Sequence, residues 1–187
     1  MVLVPVKAFA RAKERLAPHL DPDERAALAR AMATHVVHAA EPLPVAVVCD
    51  DDGVADWAAS QGAMVLLEPG RGLNGAVASG VARLGAAGAT EVVVAHSDLP
   101  LAEDLARLAG FDGVTLVPDR AEDGTNVMCV PAGAAFGFAY GPRSFSRHAG
   151  EAARLGLALR VRRDPELTLD VDVAADLALA GGAWLPR

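Results

Sequence analysis

Short apolar runs alternate with longer amphipathic segments along almost the whole chain, and few folds satisfy that rhythm. Val2 to Val6, Val45 to Cys49, Met64 to Leu67, Glu91 to Ala95, Val114 to Val117 and Asn126 to Val130 read as buried strands. A short strand over Leu167 to Val171 and an extended stretch over Leu157 to Arg162 follow. Asp21 and Glu24 form a capping box around Pro22 and open a helix carrying Leu28, Met32 and Val36 on one face. Further helices are expected around Val54 to Ala58, Gly75 to Gly85, Glu103 to Ala109, Arg143 to Leu155 and Ala174 to Ala180. Strand and helix in this succession predict an α/β fold: a mostly parallel, twisted, Rossmann-like sheet with helices on both faces. No repeat or linker divides the chain, so one domain over 1–187 is expected.

Composition narrows the function classes. Apolar residues make up 52% and charged ones 22% of the 187 residues, the balance of a globular chain. Seventeen Lys+Arg against 24 Asp+Glu give a net charge of −7, which argues against nucleic acid or an anionic membrane as partner. Cys49 and Cys129 lie far apart in apolar runs and read as buried, reduced thiols of a cytoplasmic protein. The start, MVLVPVKAFARAK, lacks the charge order of a signal peptide. The longest charge-free stretch, Gly124 to Pro142, is broken by Pro131, Gly133 and Gly137 and reads as no membrane span.

In open α/β sheets ligands bind beyond the carboxyl ends of the strands, and the polar residues of interest fall there. Lys7, Arg11, Lys13 and Arg15 follow the first strand and could neutralise a triphosphate, or form a solvated charged segment. Neither GxxxxGK[ST] nor a GxGxxG after a strand is present. Asp98 ends the very apolar strand EVVVA; it suits Mg²⁺ held against a phosphate, or a helix N-cap. Alternation along a strand would put Asp170 and Asp172 on one face, where they repel unless a cation lies between them. The other reading has Asp172 capping the last helix. Thr125 and Asn126 offer a hydroxyl and an amide between two strands, or a plain loop, and Gly141 with Ser144 offers close backbone approach and a helix-start anion site, or an ordinary cap. His19, His35, His38, His96 and His148 have no metal-binding spacing, and His148 reads as a surface helix residue.

Taken in order, these segments resemble a known family. PVKAFARAKERLAP (Pro5 to Pro18), GLN (Gly72 to Asn74), SDLPL (Ser97 to Leu101), PDRAEDGTN (Pro118 to Asn126), YGPRSFSRHAGEA (Tyr140 to Ala152) and LDVDVAADL (Leu169 to Leu177) match the 2-phospho-L-lactate or phosphoenolpyruvate guanylyltransferases of coenzyme F420 biosynthesis. The resemblance implies a nucleotide-diphospho-sugar-transferase-like fold, with GTP as donor and a small phosphorylated three-carbon acid as acceptor. It implies Mg²⁺ on Asp98, Asp170 and Asp172, the acceptor on Thr125, Gly141 and Ser144, and Lys7, Lys13 and Arg15 along the GTP phosphates. Asn74 and Asn126 fall in matching segments and are taken as substrate-side residues. Glu14 and the pair His96-Ser97 depart from the family pattern. The runner-up is another nucleotidyltransferase of this fold, of molybdenum-cofactor type or with 3-phosphoglycerate as acceptor. An inactive nucleotide-binding relative is the remaining alternative. A homodimer through an apolar helix face is compatible with the sequence.

Overall fold

The computed structural model describes residues 1–181 and 184; residues 182–183 and 185–187 of the expected domain lie outside the described residues. In chain order the elements are β1 (Val2–Pro5), α1 (Pro22–His38), β2 (Val45–Cys49), α2 (Asp52–Ser60), β3 (Met64–Leu67), α3 (Gly72–Ala86), β4 (Glu91–Ala95), β5 (Val114–Pro118), β6 (Thr125–Pro131), α4 (Ser144–Arg154), β7 (Leu159–Val161), α5 (Pro165–Thr168) and α6 (Ala174–Leu179). The strands form one seven-stranded sheet in the order β3-β2-β1-β4-β6-β5-β7. β6 runs antiparallel to β4 and β5, and the other pairings are parallel.

The sheet order creates the site. From β1 the chain winds outward through β2 to β3, then returns across β1 to β4. β1 and β4 are therefore neighbours whose following connections diverge to opposite sides, which opens a crevice at their carboxyl ends. The sheet can span the interior because both faces are covered. Val93 and Ala95 of β4 pack with α1 and α2 residues such as Val36 and Trp57, whereas Val92 and Val94 pack with α3 residues such as Val81 and Leu84. The capping box at α1 is present, with the Glu24 amide donating to Asp21 Oδ1 at 2.9 Å and the Asp21 amide to Glu24 Oε2 at 2.8 Å.

A satellite core brings together stretches remote in sequence. Leu16 and Leu20, from the segment after β1, are buried with Leu28 and Met32 of α1 and with Leu169, Val171 and Leu177 near the end of the chain. Burying these side chains fixes the basic segment against residues 169–172.

Several local expectations are corrected. The strand over Leu167 to Val171 is absent: Pro165–Thr168 is a helical turn, and no strand spans 169–172. Pro165 sits at the first helical position, where its fixed φ and missing N–H favour a helix start. Asp170 and Asp172 thus do not owe their placement to strand alternation. The expected helix over Glu103 to Ala109 is a 3₁₀ turn over Leu105–Leu108. Thr125, expected at the end of the preceding loop, is the first residue of β6. Asp98 caps no helix, because the residue preceding that 3₁₀ turn is Asp104.

α3 crosses β1 closely at Gly80, where an added Cβ would lie 2.7 Å from Leu3 Cδ2. Leu3 is fully buried and has little room to give. Gly80→Val is expected to cost about 2 kcal/mol through overpacking, read as a lower denaturant midpoint at unchanged slope. An unchanged midpoint would show that α3 can slide on the sheet.

Candidate active site

Two cavities open at the crevice, of about 300 Å³ and about 350 Å³, and Val6, Lys7, Ser97 and Asp98 line both. The first cavity takes the basic segment as its other wall, including Lys13 and Arg15. The second runs along the ends of β2 and β3. The residues just beyond β1 and β4 therefore form the ridge between two lobes of one cleft.

Lys13 holds the centre. Its Nζ donates to Asp98 Oδ2 at 2.5 Å and to the Val171 carbonyl at 2.6 Å. Only 8% of the Lys13 side chain and 21% of the Asp98 side chain remain exposed. The backbone at Lys13 is left-handed (φ 55°), which turns the chain so that the side chain points inward. Burial pushes the Asp98 carboxyl up, but the Lys13 charge and hydrogen bond, with His96 adding to them, outweigh it and hold the group below its ordinary value. Asp98 Oδ1 is buried with no hydrogen-bond partner among the described residues.

The acids of segment 169–172 dock on this centre. The Val171 amide donates to the Asp98 carbonyl at 3.2 Å. Asp170 is pushed up to about 6, by burial first and then by the negative charges of Asp98 and Asp172. Asn126 Nδ2 donates to Asp170 Oδ1 at 3.3 Å and to the Leu167 carbonyl at 3.1 Å, so its amide positions the acid. Arg15 pairs with Asp172 at 2.9 Å, both largely exposed, a contact of small energy. Among the described residues, no three metal-capable side chains are gathered around one point. Each of two carboxylates is instead shared with a cation of the basic segment. Lys7 is exposed, and its ammonium has no partner among the described residues.

A second cluster lies across β6. Thr125, Ser144 and His148 are all buried. The Ala139 amide donates to His148 Nε2 at 2.9 Å, so the ring proton of the neutral imidazole resides on Nδ1, which donates to Thr125 Oγ1 at 3.0 Å. Ser144 Oγ donates to the same Thr125 oxygen at 3.4 Å. The Thr125 oxygen is thus held by two neighbours, and it lies outside the lining of either cavity. The surface reading of His148 is corrected. Ser144 and His148 are four residues apart and share a helix face, a signal in the sequence that places both toward β6. Two amides at the start of α4 are already taken, Ser144 N by the Gly141 carbonyl at 3.0 Å and Phe145 N by the Asp123 carbonyl at 3.0 Å, which reduces the expected anion site there. Gly141 has φ 112°, a conformation reserved for glycine. Asn74 spends its side chain on Tyr140, accepting from the amide at 2.6 Å and donating to the carbonyl at 3.4 Å. It clamps the Tyr140–Gly141 turn to α3.

Burial, then the positive charge of Arg147, holds His148 down to about 4, against 6.5 for a free imidazole. The folded protein resists a proton that the unfolded chain accepts below about 6.5. This contribution to stability is therefore complete above about 6.5 and lost as pH falls towards 4. Chemical denaturation at pH 7 and pH 4 should show wild type losing roughly 2 kcal/mol more than His148→Gln. Parallel losses in both proteins would contradict the neutral, buried imidazole.

Comparison with known proteins agrees with this architecture. The family model described as "Guanylyl transferase CofC like" matches residues 1–180. The phosphoenolpyruvate guanylyltransferase of Sphaerobacter thermophilus is 37% identical, over 98% of this chain and 93% of that protein. The protein of the same name from Rubrobacter xylanophilus is 38% identical, over 94% of this chain and 90% of its own length. Among solved structures, a nucleotidyl transferase from Methanothermobacter thermautotroptrophicus shares the fold at a TM-score of 0.69 with 16% identity, covering 98% of this chain and 97% of that one. A 4-diphosphocytidyl-2C-methyl-D-erythritol synthase does so at a TM-score of 0.61 with 20% identity, covering 95% and 94%. The chain belongs to the CofC-like guanylyl transferase family.

Proposed function

We propose that the protein transfers GMP from GTP to phosphoenolpyruvate, releasing pyrophosphate and forming enolpyruvyl-diphospho-5′-guanosine, a step of coenzyme F420 biosynthesis. The observation that carries this reading is the pairing, at one sheet switch point, of a cation-lined lobe with the Lys13–Asp98 centre. It is supported by the names of relatives that match this chain over nearly their whole length.

In this reaction an oxygen of the acceptor phosphate attacks the α-phosphorus of GTP in line. The bond from that phosphorus to the bridging oxygen breaks, and pyrophosphate departs with the electron pair. A phosphate monoester with a second pKa near ~6 is already largely ionised at neutral pH, so no side chain need remove a proton. The obstacle is repulsion between two polyanions. Lys7, exposed on the ridge between the lobes, and Lys13 and Arg15 on one wall would lie along the triphosphate and offset that charge. Thr125, Ser144 and Gly141, grouped together at the start of β6 and α4, would hold the acceptor for in-line attack. His148 fixes Thr125 and takes no part in proton transfer.

The donor set fits a hard divalent cation. Asp98 keeps one buried oxygen without a partner among the described residues, and Asp170 is disfavoured as an anion by burial and then by two neighbouring carboxylates, a repulsion a cation would relieve. Asp98, Asp170 and Asp172 would hold Mg²⁺. When bound, it supplies charge neutralisation and polarisation of the phosphate oxygens.

Pyrophosphate release measured with GTP, Mg²⁺ and, in turn, phosphoenolpyruvate, 2-phospho-L-lactate and 3-phosphoglycerate tests the reading. Turnover is expected with phosphoenolpyruvate and its loss on chelation. Turnover only with another acid would move the acceptor assignment, and none with any acid would overturn the activity. Ser144→Ala should raise the acceptor KM about tenfold and leave the GTP KM near its starting value. Equal effects on both would remove Ser144 from the acceptor site.

A further inference from the structure

We infer that Glu68 reads the base of the nucleotide and selects guanine through the group on its C2 carbon. This rests on the GMP-transfer reading above and assigns the second lobe of the cleft to the base. That lobe, about 350 Å³, has apolar walls from Val6, Val48, Leu73 and Ala76, and Glu68 lines it beside them. A flat, aromatic ring suits such walls, and the triphosphate would then run over the ridge at Lys7 towards Lys13 and Arg15.

Glu68 is an unusual wall residue. It directly follows β3, its amide donates to the Cys49 carbonyl at 2.8 Å, and only 10% of its side chain is exposed. Oε1 accepts from Ser79 Oγ at 2.8 Å and from Arg83 Nη1 at 3.1 Å. Oε2 faces Arg71 Nε at 2.7 Å. The Ser79 hydrogen bond, with Arg83 and Arg71, holds the carboxyl below its ordinary value against the effect of burial. The group is thus an oriented anion. A carboxylate oxygen has two lone pairs. Both on Oε1 are taken, while Oε2 keeps one free among the described residues.

That free acceptor distinguishes the bases. Guanine carries an amino group on C2 that can donate to Oε2, a hydrogen bond strengthened by the carboxylate charge. Hypoxanthine has only C–H there. Xanthine has a carbonyl oxygen, which a carboxylate repels. Adenine has no donor at C2 and presents a lone pair on the adjacent N1. Discrimination therefore comes from repulsion of the wrong base as well as attraction of the right one.

Glu68→Gln makes the test a gain of function. Ser79 and Arg83 both donate to the Oε1 position, so the amide oxygen stays there and the amide nitrogen replaces Oε2, releasing to solvent the exposed Arg71 guanidinium that Oε2 had held. That nitrogen donates to a C2 carbonyl and clashes with a C2 amino group. Binding of GTP, ITP and XTP to the full-length protein is measured by calorimetry, with pyrophosphate release followed in parallel. Wild type should prefer GTP over ITP and reject XTP. Glu68→Gln should shift the GTP/XTP ratio towards XTP by roughly tenfold or more. Asp50→Asn, changing another carboxylate of that lobe, should leave the ratio unchanged.

Wild type binding XTP as well as GTP would overturn the inference without any variant. So would a Glu68→Gln protein that weakens all three nucleotides equally, the mark of a residue that only anchors Arg71 and Arg83. If wild type bound GTP with this selectivity but transferred GMP to no acid, the activity would fall and the base-reading role would stand.

Discussion

A buried ammonium shared between a carboxylate and a backbone carbonyl organises this protein. Lys13 Nζ lies 2.5 Å from Asp98 Oδ2 and 2.6 Å from the Val171 carbonyl, so one atom ties the segment after β1 to the end of β4 and to residues 169–172. Taking two such charges out of water costs on the order of several kcal/mol per ion, and only mutual neutralisation with good geometry offsets it. The geometry is supplied from elsewhere. The left-handed backbone at Lys13 aims the side chain, and the satellite core of Leu16, Leu20, Leu169 and Val171 presses the two segments together. Hydrophobic burial thereby places polar chemistry where the sheet order has already opened a crevice.

The cleft divides its tasks along that tie. The lobe on the β2 and β3 side has apolar walls with Glu68 held among them, and the lobe on the other side is lined by the cations of the basic segment. Behind β6, His148 spends both ring nitrogens on orienting Thr125 and the Ala139 turn. Asn74 and Asn126 do similar work, one on Tyr140 and one on Asp170. These side chains fix their neighbours in place, while the exposed Lys7 ammonium has no partner among the described residues.

Much of this was legible in the sequence because it depends on local pattern. The apolar runs of β1, β2 and β4 and the Asp21–Glu24 box fall where their periodicity and cap chemistry place them, and Lys7 and Asp98 follow strand ends as polar residues at a crevice should. What stayed hidden depends on partners far away in the chain. The charge of Lys13 reads as solvated or phosphate-directed, because nothing near it in sequence announces Asp98, 85 residues on. Residues 169–172 alternate like a strand, yet the helix start at Pro165 and the backbone bond to Asp98 leave them outside the sheet. His148 sits on a helix of mixed character, and its burial follows from the turn at Ala139 that folds over it. The asparagines look like ligand groups because an amide bonds equally well to substrate or to backbone, and only the fold shows which.

The claim that the Lys13–Asp98 pair assembles the site is tested most directly by a double-mutant cycle on stability. Lys13→Met should cost about 3 kcal/mol, because it leaves the Asp98 charge buried and unpaired. Asp98→Asn should be similarly costly, while the double variant, which buries neither charge, should lose clearly less than the two singles together. Losses that simply add would mean that the two groups do not depend on each other, and that something else holds the three segments in place.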